Sequence, residues 1–228
     1  MKPHLFWILG ISLAAAIYSA PSFGQDSPSF ESLGAAIKFQ RYQTDFKIGQ
    51  GTYNTRVNEL GLAFRQHFGR GFSLAMEAGY TDLSMDGNPA QQNLSPHGYY
   101  GRITARYQWW FTDHFGLDFT GTGGYHRLSD SSGANTVVDR WWSYSAAVGP
   151  RYKWHWLNIG AGVIYRHASG DEEASSLTGK RALGFARTTN GYLDLDFAVD
   201  PHGTFGLHFE GGARHSVALV FGYRFVSP

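Results

Sequence analysis

The chain has 228 residues, of which 43% are hydrophobic, 16% aromatic and only 16% charged, with 29 Gly, 8 Pro and no Cys. The lack of Cys excludes disulfides, Cys-ligated zinc and thiol catalysis, and sparse charge beside so many aromatics excludes a disordered chain. With 19 Lys and Arg against 18 Asp and Glu, nucleic-acid binding has no electrostatic support, so no nucleic-acid partner is expected.

The first segment reads as an export signal. Met1, Lys2 and His4 open a run of apolar residues from Leu5 to Tyr18, and Ser22 and Gly24 put small residues three and one before a cut ahead of Gln25. Residues 1–24 are thus expected to be a cleaved signal peptide and 25–228 one domain. Removal takes Lys2 and no acid, leaving 18 basic and 18 acidic residues. No later apolar run is long enough for a transmembrane helix.

From residue 32 onward the period is two, which puts alternate side chains on opposite faces of a strand. Ten segments are predicted, at about 32–46, 57–68, 72–84, 99–111, 115–128, 140–154, 157–167, 188–199, 204–211 and 215–226. In the first, Leu33, Ala35, Ile37 and Phe39 alternate with Gly34, Ala36, Lys38 and Gln40. In the second, Leu60, Leu62 and Phe64 oppose Glu59, Gly61, Ala63 and Arg65. The third sets Leu74, Met76, Ala78 and Tyr80 against Ser73, Ala75, Glu77 and Gly79. The fourth and fifth carry Arg102, Arg106 and Asp118 on their polar faces, and the sixth and seventh carry Arg151, Lys153 and Arg166. Asp194 and Asp196 occupy the polar face of the eighth, His208 and Glu210 that of the ninth, and Arg224 that of the tenth.

A soluble sandwich would bury such apolar faces against each other, whereas a membrane barrel would turn them to lipid. Three features favour the barrel. The polar faces are rich in Gly, Ala and Ser and poor in Lys, as a confined interior requires. Aromatics gather near strand ends, at Trp109-Trp110-Phe111, Trp141-Trp142, Trp154 with Trp156, and Tyr223 with Phe225. Connections alternate between short (69–71, 112–114, 200–203) and long (85–98, 129–139, 168–190), the habit of barrels with tight periplasmic turns and longer outer loops. The fold expected is an all-β, antiparallel, up-and-down transmembrane barrel of ten strands, with eight as the alternative if the segment at 204–211 does not span.

The export signal, period-two strands, alternating loop lengths and closing Tyr223-x-Phe225 pair resemble the small outer-membrane β-barrels of Gram-negative bacteria, the opacity-type or OmpA-like superfamily. The resemblance is architectural and covers residues 32–225. It implies residence in the cell outer membrane, contact with outer-membrane lipid and lipopolysaccharide, and recognition of the terminal aromatic by the barrel-assembly machinery, although Val226, Ser227 and Pro228 here follow Phe225.

The lumen-facing charges are expected to form a network of Glu59, Arg65, Glu77, Arg102, Arg106, Asp118, Arg151, Lys153, Arg166, Asp194, Asp196, Glu210 and Arg224, with Lys38 beside them. So small a barrel has little room beyond its side chains, so a structural or surface-interaction role or a narrow pore is expected, without catalysis. Asp194, Asp196, His208 and Glu210 face inward on consecutive strands, as acids and a His do in ten-stranded outer-membrane proteases, but pairing with Arg166 or Arg224 is the simpler expectation. His167 and Ser169 are the alternative catalytic pair: they resemble the His-x-Ser of lipid A deacylases, with Glu172 and Glu173 nearby, although Gly170 stands where that family has Asn. No metal or cofactor is expected, since His97, His114, His155, His202 and His215 fall at turns and rims without metal-ligand spacing. The loops at 85–98 and 168–190, the second carrying Asp171, Glu172, Glu173, Lys180 and Arg181, are the expected places for a surface ligand.

Overall fold

A computed structural model describes residues 30–69, 71–177, 179–186 and 189–225. The expected signal peptide and the three residues after Phe225 lie outside the described residues. The strands are β1 (Phe30–Ile48), β2 (Gly51–Phe68), β3 (Phe72–Met85), β4 (His97–Trp110), β5 (Phe115–Ser132), β6 (Asn135–Trp154), β7 (Leu157–Ala174), β8 (Lys180–Phe185), β9 (Thr189–Ala198), β10 (Gly203–Gly212) and β11 (Arg214–Phe225). A single 3₁₀ turn, Pro89–Gln91, lies between β3 and β4. Each strand pairs antiparallel with its neighbour, β7 pairs with β9, and β11 returns to β1, so the sheet closes.

Ten of these strands form the expected ring. The eleventh, β8, arises in the segment read from sequence as loop. It pairs with β7 from Ser169↔Gly184 to Glu173↔Lys180 and with β1 from Phe46↔Phe185 to Ile48↔Leu183. Those contacts begin just beyond the points where β1 leaves β11 (Thr44↔Arg214) and β7 leaves β9 (Tyr165↔Thr189). The wall therefore has ten strands at the end with the short turns and eight at the loop end, where β8 replaces β9, β10 and β11.

The loop expected at 129–139 is also mostly strand. β5 and β6 stay paired to Ser132↔Asn135, and Gly133, with φ of +61°, makes the turn. Likewise β7 runs on to Ala174 before β8. The reason lies in a reversal of polarity along each strand. On β1 the outward positions are Ile37 and Phe39, then Arg41, Gln43 and Lys47, while the inward positions change from Lys38 and Gln40 to Phe46 and Ile48. On β2, Leu60 and Leu62 face out below Asn58 and Arg56; on β5, Phe119 and Tyr125 face out below Arg127 and Ser129. Period two is unbroken, but its sense inverts.

Below the inversion the outer surface is apolar, as contact with lipid would require. Ile37, Leu62, Met76, Ile103, Val163 and Phe221 are 47–61% exposed on the outer surface. Aromatics bound this belt on both sides: Tyr80–Tyr99, Tyr125–Trp142 and Tyr144–Tyr165 above, Trp109–Phe111, Trp156–Phe197 and Tyr223–Phe225 below. Along β6, Trp142 and Trp154 are separated by about 40 Å of strand, or about 30 Å across a membrane at the usual barrel tilt, which matches a hydrocarbon core.

Above the inversion the interior becomes a hydrophobic core. Phe46, Ile48, Val57, Leu83, Leu128, Trp141 and Leu183 are almost fully buried there, with Tyr42, Met85 and Ala168. Phe46 stacks on Phe185 and meets Trp141 edge-on, with centroids 5.2 and 5.5 Å away. Each such side chain contributes about 1.5–3 kcal/mol by leaving water. This half of the barrel packs as a soluble protein does.

Candidate functional sites in the lumen and at the rim

Inward positions below the core carry charges that meet across strands. In the layer nearest the short turns, Asp118 on β5 accepts Arg106 Nε at 2.7 Å and Arg151 Nη1 at 3.0 Å. Arg151 also pairs with Asp196 on β9 and approaches Asp194 at 3.9 Å. Buried Arg151 thus holds two acids from one desolvated guanidinium and lies close to a third.

The next layer has two halves. In one, Glu59 accepts Arg102 Nη2 at 2.8 Å and His126 Nε2 at 3.1 Å. Beside it, Glu77 accepts the Tyr100 hydroxyl at 2.6 Å and Arg102 Nη1 at 3.3 Å, and forms an ion pair with the Lys38 ammonium at 3.6 Å. Gly61 makes this possible, since a Cβ there would collide with the Tyr100 hydroxyl. In the other half, Glu210 accepts Arg166 Nε at 3.1 Å and His208 Nε2 at 2.9 Å, with Arg214 Nε 3.6 Å away. His208 Nδ1 meets Asp194, directly across the β9–β10 ladder. The Arg214 guanidinium lies 3.5 Å above the Tyr42 ring, a cation–π contact.

Ten of the thirteen network residues expected from sequence are thus brought into ion pairs: Glu59, Glu77, Arg102, Arg106, Asp118, Arg151, Arg166, Asp194, Asp196 and Glu210. Arg65, Lys153 and Arg224 are not. They stand exposed near the short-turn end and make no direct ion pair among the described residues, and water solvates them there. Sequence reasoning missed His126 and Arg214. His126 shares its inward parity with Thr122 and Gly124, which could have revealed it, whereas Arg214 falls between the predicted segments 204–211 and 215–226. Asp194, Asp196, His208 and Glu210 do converge, and Arg166 is a partner as expected, but Arg224 is not.

A third cluster closes the loop end. Residues 86–96 fold inward rather than projecting as a free loop. Asn88 caps the 3₁₀ turn through its side chain and donates Nδ2 to Glu172 Oε1 at 2.6 Å. Gln91 Nε2 reaches Asp139 Oδ2 at 2.8 Å and Glu172 Oε1 at 3.2 Å. Arg181 on β8 holds Glu172 from the other side and donates to Asn88 Oδ1 at 2.8 Å. Ala90 and Leu94 pack on Val137 and Ala174 beneath. Burial, with Glu172 close by, pushes the Asp139 carboxyl well above the usual carboxylate range. Both expected ligand-binding loops are therefore largely occupied by the protein itself.

His167 and Ser169 face outward at the upper aromatic boundary. The His167 ring lies 5.0 Å from that of Tyr144. Among the described residues no hydrogen bond joins His167 to Ser169 or to an acid. Glu172 points inward to Arg181, and Glu173 pairs with Arg140 at 2.7 Å. Arg127 and Arg140 stand directly opposite each other on β5 and β6, outward and immediately above Tyr125 and Trp142.

No protein-family model matches the sequence, and no curated protein matches it. The barrel is similar to the transport unit of the autotransporter AIDA-I from Escherichia coli, with a TM-score of 0.50, 11% identity and 97% of each chain covered. It is also similar to the translocator domain of the autotransporter NalP from Neisseria meningitidis, with a TM-score of 0.47, 15% identity, and 96% of this chain and 95% of that one covered. A third similar structure is the attachment invasion locus protein Ail of Yersinia pestis, with a TM-score of 0.38, 13% identity, and 86% of this chain and 99% of that one covered.

Proposed function

The fold is that of an outer-membrane β-barrel, and we propose that this one resides in the outer membrane as a closed barrel whose working surface is the protruding outer wall. The observation that carries this reading is the apolar core above the belt: Phe46, Leu83, Leu128 and Trp141 pack together inside the lumen, which supports a barrel closed to water. The role is structural or one of surface interaction, without catalysis.

The outward surface just above the belt suits anionic lipid headgroups. Arg41 and Arg127 are exposed there and make no ion pair among the described residues, and His97, His167 and His215 share their level. Guanidinium groups recognise phosphate by paired hydrogen bonds, so lipopolysaccharide phosphates are the fitting partner class. Purified protein in a planar bilayer is expected to give no discrete current steps; steps would restore the pore reading.

A second reading is favoured by one observation, the outward placement of His167 and Ser169 at the membrane boundary. A lipid hydrolase there needs an acid on His167. Unchanged acyl-chain release from lipopolysaccharide by Ser169→Ala would dispose of it.

A further inference from the structure

The outer wall carries a recess within its apolar belt. A groove of about 620 Å³ crosses β4 to β7, floored by Ala105, Gly121 and Ala146 and walled by residues that include Phe119, Val148 and Tyr165. The three floor residues are cross-strand neighbours on one row of the sheet, whereas other outward positions carry side chains the size of Ile37, Leu62, Met76 and Phe221. Gly123, the next outward position on β5, is also glycine. Nothing within the protein requires glycine at 121 or 123: neither has a left-handed backbone, and a Cβ at either would meet no atom within 4 Å. A glycine inside a strand costs about 0.5–1 kcal/mol, and one without an internal reason marks close approach by another molecule.

Depth and charge select that molecule. Six residues of β5 separate Gly121 from Arg127, about 20 Å of strand and about 15 Å across a membrane at the usual tilt, which is one leaflet. Tyr99, Arg127, Arg140 and Asp171 form one row above the groove. Arg140 and Lys180 both pair with Asp171 and Glu173, two cations against two acids. Asp82, two strands away on β3, accepts Asn58 Nδ2 at 2.7 Å. Exposed Arg127 makes no ion pair among the described residues and is the cation left over. A lipid chain gains no hydrophobic energy by leaving the bilayer for the groove, so preference must come from an anionic headgroup at Arg127.

We propose that this face binds one molecule of lipid A, with a phosphate on Arg127 and one acyl chain lying in the groove over Gly121. The site rests on the reading that lipopolysaccharide phosphates meet the outer wall, and adds to it one location, one orientation and a stoichiometry of one.

The test is native mass spectrometry of the full barrel after exposure to lipid A, dephosphorylated lipid A or phosphatidylethanolamine. The wild type should retain one lipid A per barrel, at least fivefold over either comparison lipid. Gly121→Leu with Ala146→Leu fills the groove from outward positions and should cut that retention at least fivefold, as should Arg127→Gln. Equal retention of lipid A and its dephosphorylated form by the wild type would overturn the site and the phosphate reading together, and requires no variant to fold. Loss with Arg127→Gln but not with the double variant would overturn the groove and leave the phosphate reading standing; loss with the double variant alone would overturn the contact at Arg127. Wild-type dimers that the double variant separates would give the groove to a second copy of the chain and overturn the proposal.

Discussion

Asn88 and Glu172 are 84 residues apart in sequence and 2.6 Å apart in the folded chain, and their hydrogen bond draws the β3–β4 connection over the barrel mouth. Removing it leaves a buried carboxylate with fewer donors, which costs about 1–3 kcal/mol. Asn88→Ala combined with Gln91→Ala is expected to release residues 86–96 while the lipid-facing belt stays folded. Limited proteolysis should then cut within 86–96 in the variant and spare the wild type under the same conditions.

Asp139 gives the cap a pH dependence. Its carboxyl is fully buried, and its proton affinity is raised in the folded state by burial first and by Glu172 second. Below the unfolded-state value both states hold the proton and nothing is lost. As pH rises past about 3.9, the unfolded chain releases its proton before the folded one, so stability falls. Asp139→Asn, which resembles the protonated acid, should unfold a few degrees higher at pH 7 and show a flatter pH profile above pH 4, read by thermal unfolding in detergent.

Arg151 is the most heavily used cation in the lumen, holding Asp118 and Asp196 at once. Arg151→Met takes one of two guanidiniums from buried Asp118 and the partner of half-exposed Asp196, and should destabilise the barrel by about 1–3 kcal/mol. Adding Asp118→Asn and Asp196→Asn to Arg151→Met should recover most of that loss. Urea titration in lipid vesicles measures both steps.

Arg127→Glu places an acid opposite Arg140 in the ring above the belt. If phosphates dock there, the wild type should gain more thermal stability from lipid A-containing vesicles than from zwitterionic ones, and this variant should lose at least half of the difference.

The ten spanning strands could be read from sequence because lipid and lumen impose one rule over residues such as Leu60–Glu59 and Ile103–Arg102. That rule also placed ten members of the charge network. It failed above residues such as Phe39 and Tyr125, where lipid gives way to water and the faces exchange roles. There Val137 read as a loop residue because its apolar side chain points inward. β8 was hidden for a second reason: its partners, β1 and β7, lie far from it or had already been assigned elsewhere. His126 and Arg214 escaped because a single polar residue on a strand carries no sign of the partner it meets across the lumen.

The absence of Cys makes single cysteines clean probes of the polarity reversal. Barrels folded into vesicles with the loop end outward should react with a membrane-impermeant maleimide at Gln43→Cys. Ile37→Cys, in lipid, and Leu128→Cys, in the core, should stay unlabelled until the protein is unfolded. Labelling of Leu128→Cys as fast as Gln43→Cys would show an open, wet lumen and contradict the account.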